Sequence, residues 1–339
     1  MGDKTGIEWT DATWNPLLGC RRVSPGCENC YAERQAIRMA GATGRYHGIV
    51  SAPRRHLGVW VDSVSGKPCG GNRGPRWTGA SRLVTEVLDQ PLRWKRPRRI
   101  FVDSMADLFF EGHSNEDIAA VFGVMAAAPQ HTFQVLTKRP ARAREWFMWA
   151  GRIDLDRLRW YAIQALGGFS GDPQRRHHDI TRGTTWPLPN VWLGVSAENQ
   201  ATADERIPLL LETPAAVRFV SYEPALGPVD FSDYLDPCCE CETGDVIPSE
   251  HDEVCPAGAG RLSWVIAGSE SGPGARPAEL EWFRSVRSQC EAAGVAFLLK
   301  QWVGFRGCTM DEFNAMGPAK HGKVSLPIVD GRRSVEFPR

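Results

Sequence analysis

The sequence predicts an α/β protein, a partial or complete parallel (β/α) barrel with loop insertions, and three observations carry that expectation. Short apolar, β-branched runs recur along the 339 residues, helical periodicity fills several of the intervals between them, and polar residues follow directly on most of the runs. In a parallel α/β structure those polar positions fall at the C-terminal strand ends, where binding sites are built.

Taken in order, the runs are RIFVDSMADLFFE, FQVLTKRP, VWLGVSAEN, VRFVSYEP, WVIAGSES and VAFLLKQW. Continuous apolar runs of this length fit strands buried on both faces. The helical intervals include NEDIAAVFGVMAAA, ERIPLLLET and AELEWFRSVRSQCEAAG, the last closing at Gly294 as a helix C-terminus should. Behind the first five runs stand Asp103-Ser104, Thr137-Lys138, Ser196-Glu198, Glu223-Pro224 and Ser269-Glu270. Three stretches, about 44–80, 151–188 and 236–262, have the Gly-, Pro- and Arg-rich or Cys-rich composition of loops or small excursions. The expected layout is therefore one α/β domain over 1–305 carrying those inserts, followed by a C-terminal extension over 306–339.

Forty Lys+Arg balance forty Asp+Glu, so no global basic field points to a nucleic-acid partner. Local patches remain at RRH (54–56), KRPRR (95–99) and QRRHH (174–178). The N-terminal MGDKTGIEWTDATWNP lacks both a basic n-region and an apolar h-region, and no apolar run reaches the ~18 residues of a membrane span. A cytoplasmic protein with no membrane partner is the expectation.

Seven of the ten cysteines fall in two clusters, with Cys69, Cys290 and Cys308 standing alone, and clusters in a cytosolic chain favour metal over disulfides. Cys20, Cys27 and Cys30 lie in NPLLGCRRVSPGCENCYAE. Cys27-x2-Cys30 brings two thiolates to one ion, and Cys20 closes on it through a loop containing Pro25-Gly26. Three thiolates on a 4Fe–4S cluster leave one iron open to a non-protein ligand. The alternative is a zinc knuckle completed by His47, His56 or Cys69. A second group, Cys238, Cys239, Cys241 and Cys255 with His251 between, suits structural zinc held by Cys238, Cys241, Cys255 and either His251 or Cys239. An auxiliary iron–sulfur cluster, or free thiols, are the other readings of that group.

Asn-Pro-x-x-Gly-Cys before the first group and Cys-Tyr-Ala after it resemble the cluster loop of radical S-adenosylmethionine enzymes of the spore photoproduct lyase type. In those relatives the first cysteine gap is three residues, and here it is six. The chain also resembles the phage Gp37/Gp68 family (DUF5131-like). The shared stretches are TGIEWTDATWNP, the cysteine loop, DSMADLFFE, VLTKRP, GVSAEN, SYEPALGPVD, AGSESGPGARP and LLKQW, which span most of residues 5–305.

The resemblance implies a barrel of radical SAM type, a 4Fe–4S cluster on Cys20, Cys27 and Cys30, S-adenosyl-L-methionine as cofactor, and an electron donor of the flavodoxin or ferredoxin type. By position it implies that Lys138 approaches the cofactor carboxylate, that Ser196 and Glu198 contact its ribose or methionine part, and that Asp103 and Ser104 meet its amino group. Gly268 falls near adenine; Glu223 joins these cofactor contacts, and with Glu270, Arg276, Lys300 and Gln301 it borders the substrate pocket. A nucleic-acid base or nucleotide, as DNA or a free nucleotide, is the implied substrate. Two other classes stay open: a non-enzymatic zinc or iron–sulfur protein binding nucleic acid or a partner, and a redox sensor.

Overall fold

The computed structural model describes residues 5–41, 43–67, 75–153, 155–166, 185–235, 261–272, 274–303, 315–316, 319–320 and 323–338. The chain divides into two compact units, Met1–Asn190 and Val191–Arg339. Both are mixed α/β, with parallel strands in the main sheet, the class expected of the sequence.

In the first unit strand β1 (Ala12–Trp14) pairs in parallel with β2 (Arg99–Val102), which pairs in parallel with β3 (Thr132–Thr137). Helix α1 (Tyr31–Arg38) follows the cysteine loop, α2 (Asn115–Ala126) joins β2 to β3, and α3 (Pro140–Ala150) and α4 (Leu155–Ala165) follow β3. Helix α2 starts where Ser114 accepts the Asp117 N–H at 3.0 Å, and it is buried throughout Ile118–Ala126. The fit of α2 to α4 needs a glycine: a Cβ at Gly123 would lie 2.4 Å from the Leu158 carbonyl oxygen. Helix α4 lies inside the stretch 151–188, so part of that excursion is helical. Phe122 and Trp146, with ring centroids 4.3 Å apart, fill the space between α2 and α3.

In the second unit β4 (Val191–Ser196), β5 (Val217–Tyr222), β6 (Trp264–Gly268) and β7 (Ala296–Val303) form a continuous parallel ladder. Lys323–Ser325 adds an antiparallel strand to β7. Helix α5 (Gln200–Leu211) begins five residues before ERIPLLLET, because Asn199 and Thr202 form a capping box that starts it early. Helix α6 (Leu280–Ala292) ends as expected, with Gly294 at φ +63°. A Cβ at Gly194 would lie 2.5 Å from the ring of its cross-strand partner Phe219, so that ring takes the place of the missing side chain where β4 pairs with β5.

All six apolar runs form strands, and the polar pairs behind five of them stand at C-terminal strand ends. The inserted stretch 44–80 contains small antiparallel pairings, among them the hairpin Pro53–His56 with Val59–Asp62. Among the described residues no helix is long and apolar enough to cross a membrane.

Candidate functional site

The cysteine loop leaves β1 through Asn15, whose Oδ1 accepts the Met105 N–H at 2.9 Å and the Ser104 hydroxyl at 3.2 Å. Cys20 stands at the start of the six-residue gap, Cys27 ends a 3-10 turn spanning Pro25–Cys27, and Cys30 caps α1. The gap does not hang free. Arg22, within it, donates through Nε to both Glu33 oxygens, at 3.2 and 3.0 Å, and its Nη2 also reaches Oε2. Glu33 Oε1 further accepts the Trp77 N–H at 3.1 Å, and the Glu33 side chain is only 2% exposed. Tyr31, in Cys-Tyr-Ala, donates its hydroxyl to the Ser104 carbonyl and so ties α1 to the loop after β2.

Each of the three sulfurs has a donor beside it. Arg139 Nη1 lies 3.8 Å from Cys20 Sγ, the Ser24 hydroxyl lies 3.9 Å from Cys27 Sγ, and Cys30 stands at the N-terminus of α1, where the Glu33 and Ala32 N–H groups favour its thiolate. Burial pushes the Cys20 and Cys30 thiols up; Asp107 adds to that at Cys20, while Arg139 opposes it. As a thiol, Cys20 donates to the Arg21 carbonyl at 3.6 Å. The three cysteines are free and lie near enough to feel one another's charge. Among the described residues no three His, Cys, Asp or Glu side chains are gathered as an ion-holding group, so closing the sulfurs on one ion requires the thiol side chains to move. The donor set fits a thiolate-held cluster: three sulfurs on one folded loop, each facing a hydrogen-bond donor that an anionic sulfur favours.

Behind Cys20 lies a buried hub absent from the sequence expectations. Asp107 accepts the Phe109 N–H at 3.0 Å and the Thr137 hydroxyl at 2.7 Å on one oxygen, and the Lys138 N–H at 3.0 Å and Arg139 Nη1 at 3.2 Å on the other. Arg139, 5% exposed, also donates through Nε to both Glu111 oxygens at 2.9 Å and through Nη2 to the Arg21 carbonyl at 2.7 Å. Burial works to discharge this guanidinium, but Asp107, Cys20 and Glu111 outweigh it and keep it charged. Asp107 and Arg139 stand inside DSMADLFFE and LTKRP, yet nothing in those strings pairs them.

Two residues assigned to the cofactor by position are occupied within the protein. Asp103 is 3% exposed, sits at φ +52°, and accepts the Leu17 N–H at 3.1 Å while its second oxygen has no partner. Burial holds its carboxyl well above the usual range, with Asp107 adding to the rise and the Leu17 N–H opposing it. Ser104 donates to Asn15, as above. Lys138 is half-buried at the end of β3, held there by its backbone bond to Asp107.

The second unit gathers its own strand-end group. Lys300 Nζ donates to the two Glu223 oxygens at 2.8 and 2.9 Å, and Gln301 Nε2 donates to Glu223 Oε1 and the Ser269 carbonyl, both at 2.9 Å. A register shift between β6 and β7 sets Gly268 opposite Gln301, and a Cβ at Gly268 would come within 3.4 Å of both Gln301 and Glu223. Glu223 and Lys300 keep 19% and 17% side-chain exposure, which leaves the pair reachable from solvent. Glu270 is taken up by Arg276, which reaches it through the backbone N–H at 2.9 Å, Nε at 3.0 Å and Nη2 at 2.6 Å. Glu198 is fully buried against Arg206, whose Nη1 also donates to the Ser196 carbonyl at 2.8 Å. Its carboxylate secures the end of β4 and is closed to ligand.

The basic patch KRPRR is partly committed internally: Arg99 pairs with Asp11 at 3.3 Å, and Arg98 lies 4.8 Å over the Trp94 ring. The second cysteine group (Cys238, Cys239, Cys241, Cys255 and His251), Cys69 and QRRHH lie outside the described residues.

With the cysteine loop and strand ends placed, comparison with known families matches the chain to a protein of unknown function (DUF5131) over residues 4–338. The chain belongs to this family. The DUF5131 match spans both units and nearly the whole sequence, so the cysteine loop and the strand-end groups are parts of one family unit. No curated protein and no solved structure matches this DUF5131 chain.

Proposed function

We propose that this DUF5131 protein is a radical S-adenosylmethionine enzyme built on a parallel barrel of that type, with Cys20, Cys27 and Cys30 holding a 4Fe–4S cluster. The observation that carries the reading is the cysteine loop: three free thiols, each beside a hydrogen-bond donor, on a segment fixed by the Arg22–Glu33 clamp. When bound, such a cluster supplies reductive cleavage of S-adenosylmethionine to a 5′-deoxyadenosyl radical, which takes hydrogen from a substrate. The chain's own residues do the rest. Lys138 offers an ammonium to the cofactor carboxylate. The Asp103 bond to the Leu17 N–H and the Asn15 bonds tie the loop after β2 to the segment that leads into the cysteine loop. Glu223 and Lys300, which keep exposure at strand ends and are steadied by Gln301, are the polar pair that would hold and orient a substrate. A nucleic-acid base or nucleotide is the substrate class this reading takes from the lyase resemblance. The electron donor is of the flavodoxin or ferredoxin type.

The test is anaerobic reconstitution of the full chain with iron and sulfide. A brown protein that loses its charge-transfer band when Cys27 becomes Ala, and that releases 5′-deoxyadenosine from S-adenosylmethionine on reduction, is the expected result. A colourless protein that retains one zinc at the first cysteine group under the same conditions overturns it and leaves a zinc-binding protein. A stable cluster that never cleaves the cofactor leaves a redox sensor.

A further inference from the structure

We infer that Arg139 is a positioning residue that sets the reduction potential of the cluster through Cys20. This rests on the reading of the cysteine loop as a cluster site. Arg139 is the one described side chain that touches a cysteine sulfur and is itself buried among acids: Nη1 lies 3.8 Å from Cys20 Sγ and 3.2 Å from Asp107, Nε lies 2.9 Å from both Glu111 oxygens, and Nη2 lies 2.7 Å from the Arg21 carbonyl. Its ring contact, with the guanidinium 5.2 Å from the Phe110 centroid, closes the remaining face. The guanidinium therefore has almost no freedom to leave the sulfur, since four groups on two segments, 107–111 and the cysteine loop, fix its plane.

A donor held against a ligating sulfur tunes a cluster in one direction. On reduction one electron passes from the donor protein to the cluster: the donor is oxidised, the cluster is reduced, no bond forms and no proton moves. The added negative charge is shared by the sulfurs, so an N–H directed at Cys20 and a cation behind it favour the reduced state. Asp107 and Glu111 act the other way, and their two carboxylates exceed the single guanidinium. The sign of the effect thus splits within one cluster of side chains: removing the cation makes reduction harder, and neutralising an acid makes it easier.

Potentiometric titration of the reconstituted full chain, read by electron paramagnetic resonance, tests this with R139M and E111Q. Glu111 is 59% exposed, so E111Q perturbs the fold little. The expected result is iron content equal to wild type in both variants, a tenfold less favourable reduction in R139M, about 59 mV for one electron, and a shift of opposite sign in E111Q. R139K, which keeps charge but loses the fork, should fall between R139M and wild type. Unchanged potentials in both variants with intact clusters overturn the inference while the cluster reading stands. Shifts of the same sign also overturn it, because general loosening of the loop moves both variants alike. Should R139M fail to hold a cluster, E111Q decides: a potential equal to wild type or lower refutes the inference. Wild-type protein that takes up no cluster removes the inference and the proposed function together.

Discussion

Glu33 is the side chain on which the order of the cysteine loop depends. It is buried, accepts from Arg22 inside the gap and from the Trp77 backbone, and belongs to the helix that Cys30 caps. Replacing it with Ala strands two donors, and hydrogen bonds to charged groups are worth roughly 1.5–3 kcal/mol each when broken this way. Glu33→Ala should therefore lower unfolding free energy by about 2 kcal/mol in urea titration and should also lower iron uptake. Glu33→Gln, which keeps the shape, should recover part of both. His113 gives a prediction in pH. Its ring is 3% exposed, has no partner at either nitrogen, and meets Phe110 edge-on at 5.6 Å. Burial lowers its pKa to about 4, with Asp107 and Asp117 opposing. The unfolded chain binds that proton near pH 6.5, so between about 6.5 and 4 the unfolded state holds more protons and stability falls as pH falls. His113→Phe should flatten the stability profile across that window, removing roughly 3 kcal/mol of acid destabilisation at its lower end. Unfolding curves measured at several pH values check it. Neither residue was assignable beforehand. Glu33 was visible in Cys-Tyr-Ala-Glu, but its partners lie 11 and 44 positions away.

At the scale of elements, the periodic signals were sound and the boundaries followed local chemistry. The six strands were readable because a run buried on both faces must be apolar throughout. Strand β1 was not, since three residues, Ala12–Trp14, carry no period. It nonetheless delivers the chain to the cysteine loop. Helix α4 escaped notice inside a stretch whose Gly, Arg and His content reads as loop, and what holds it is tertiary contact with α2 at Gly123. That contact yields a test. Gly→Ala inside a helix ordinarily gains up to about 1 kcal/mol, but at Gly123 the new methyl meets a backbone oxygen that cannot turn away. Gly123→Ala should instead destabilise by roughly 1–3 kcal/mol, visible as a lower denaturation midpoint. A stabilised variant would show that α4 is not seated against α2.

At the scale of the whole molecule, the polar strand ends were legible as a set but not in their roles. Their positions follow from the parallel topology, whereas which carboxylate is spent on an arginine and which stays reachable depends on residues such as Arg206, which no motif announces. Glu198 and Glu270 are spent, and Glu223 with Lys300 remains reachable. Cluster loading and substrate handling should then separate by mutation. Lys300→Met should leave iron content and cofactor cleavage without substrate at wild-type levels while depressing turnover of substrate at least tenfold, and Cys27→Ala should abolish all three. Iron analysis beside a 5′-deoxyadenosine assay measures the split. One further consequence belongs to the Arg22–Glu33 clamp. A loop fastened by its own ion pair would keep its shape were oxygen to strip the iron from the cluster proposed for it. Repair would then ask only for fresh iron and sulfide, and the prediction is that reconstituted protein bleached in air and recharged anaerobically regains its colour over repeated cycles without unfolding.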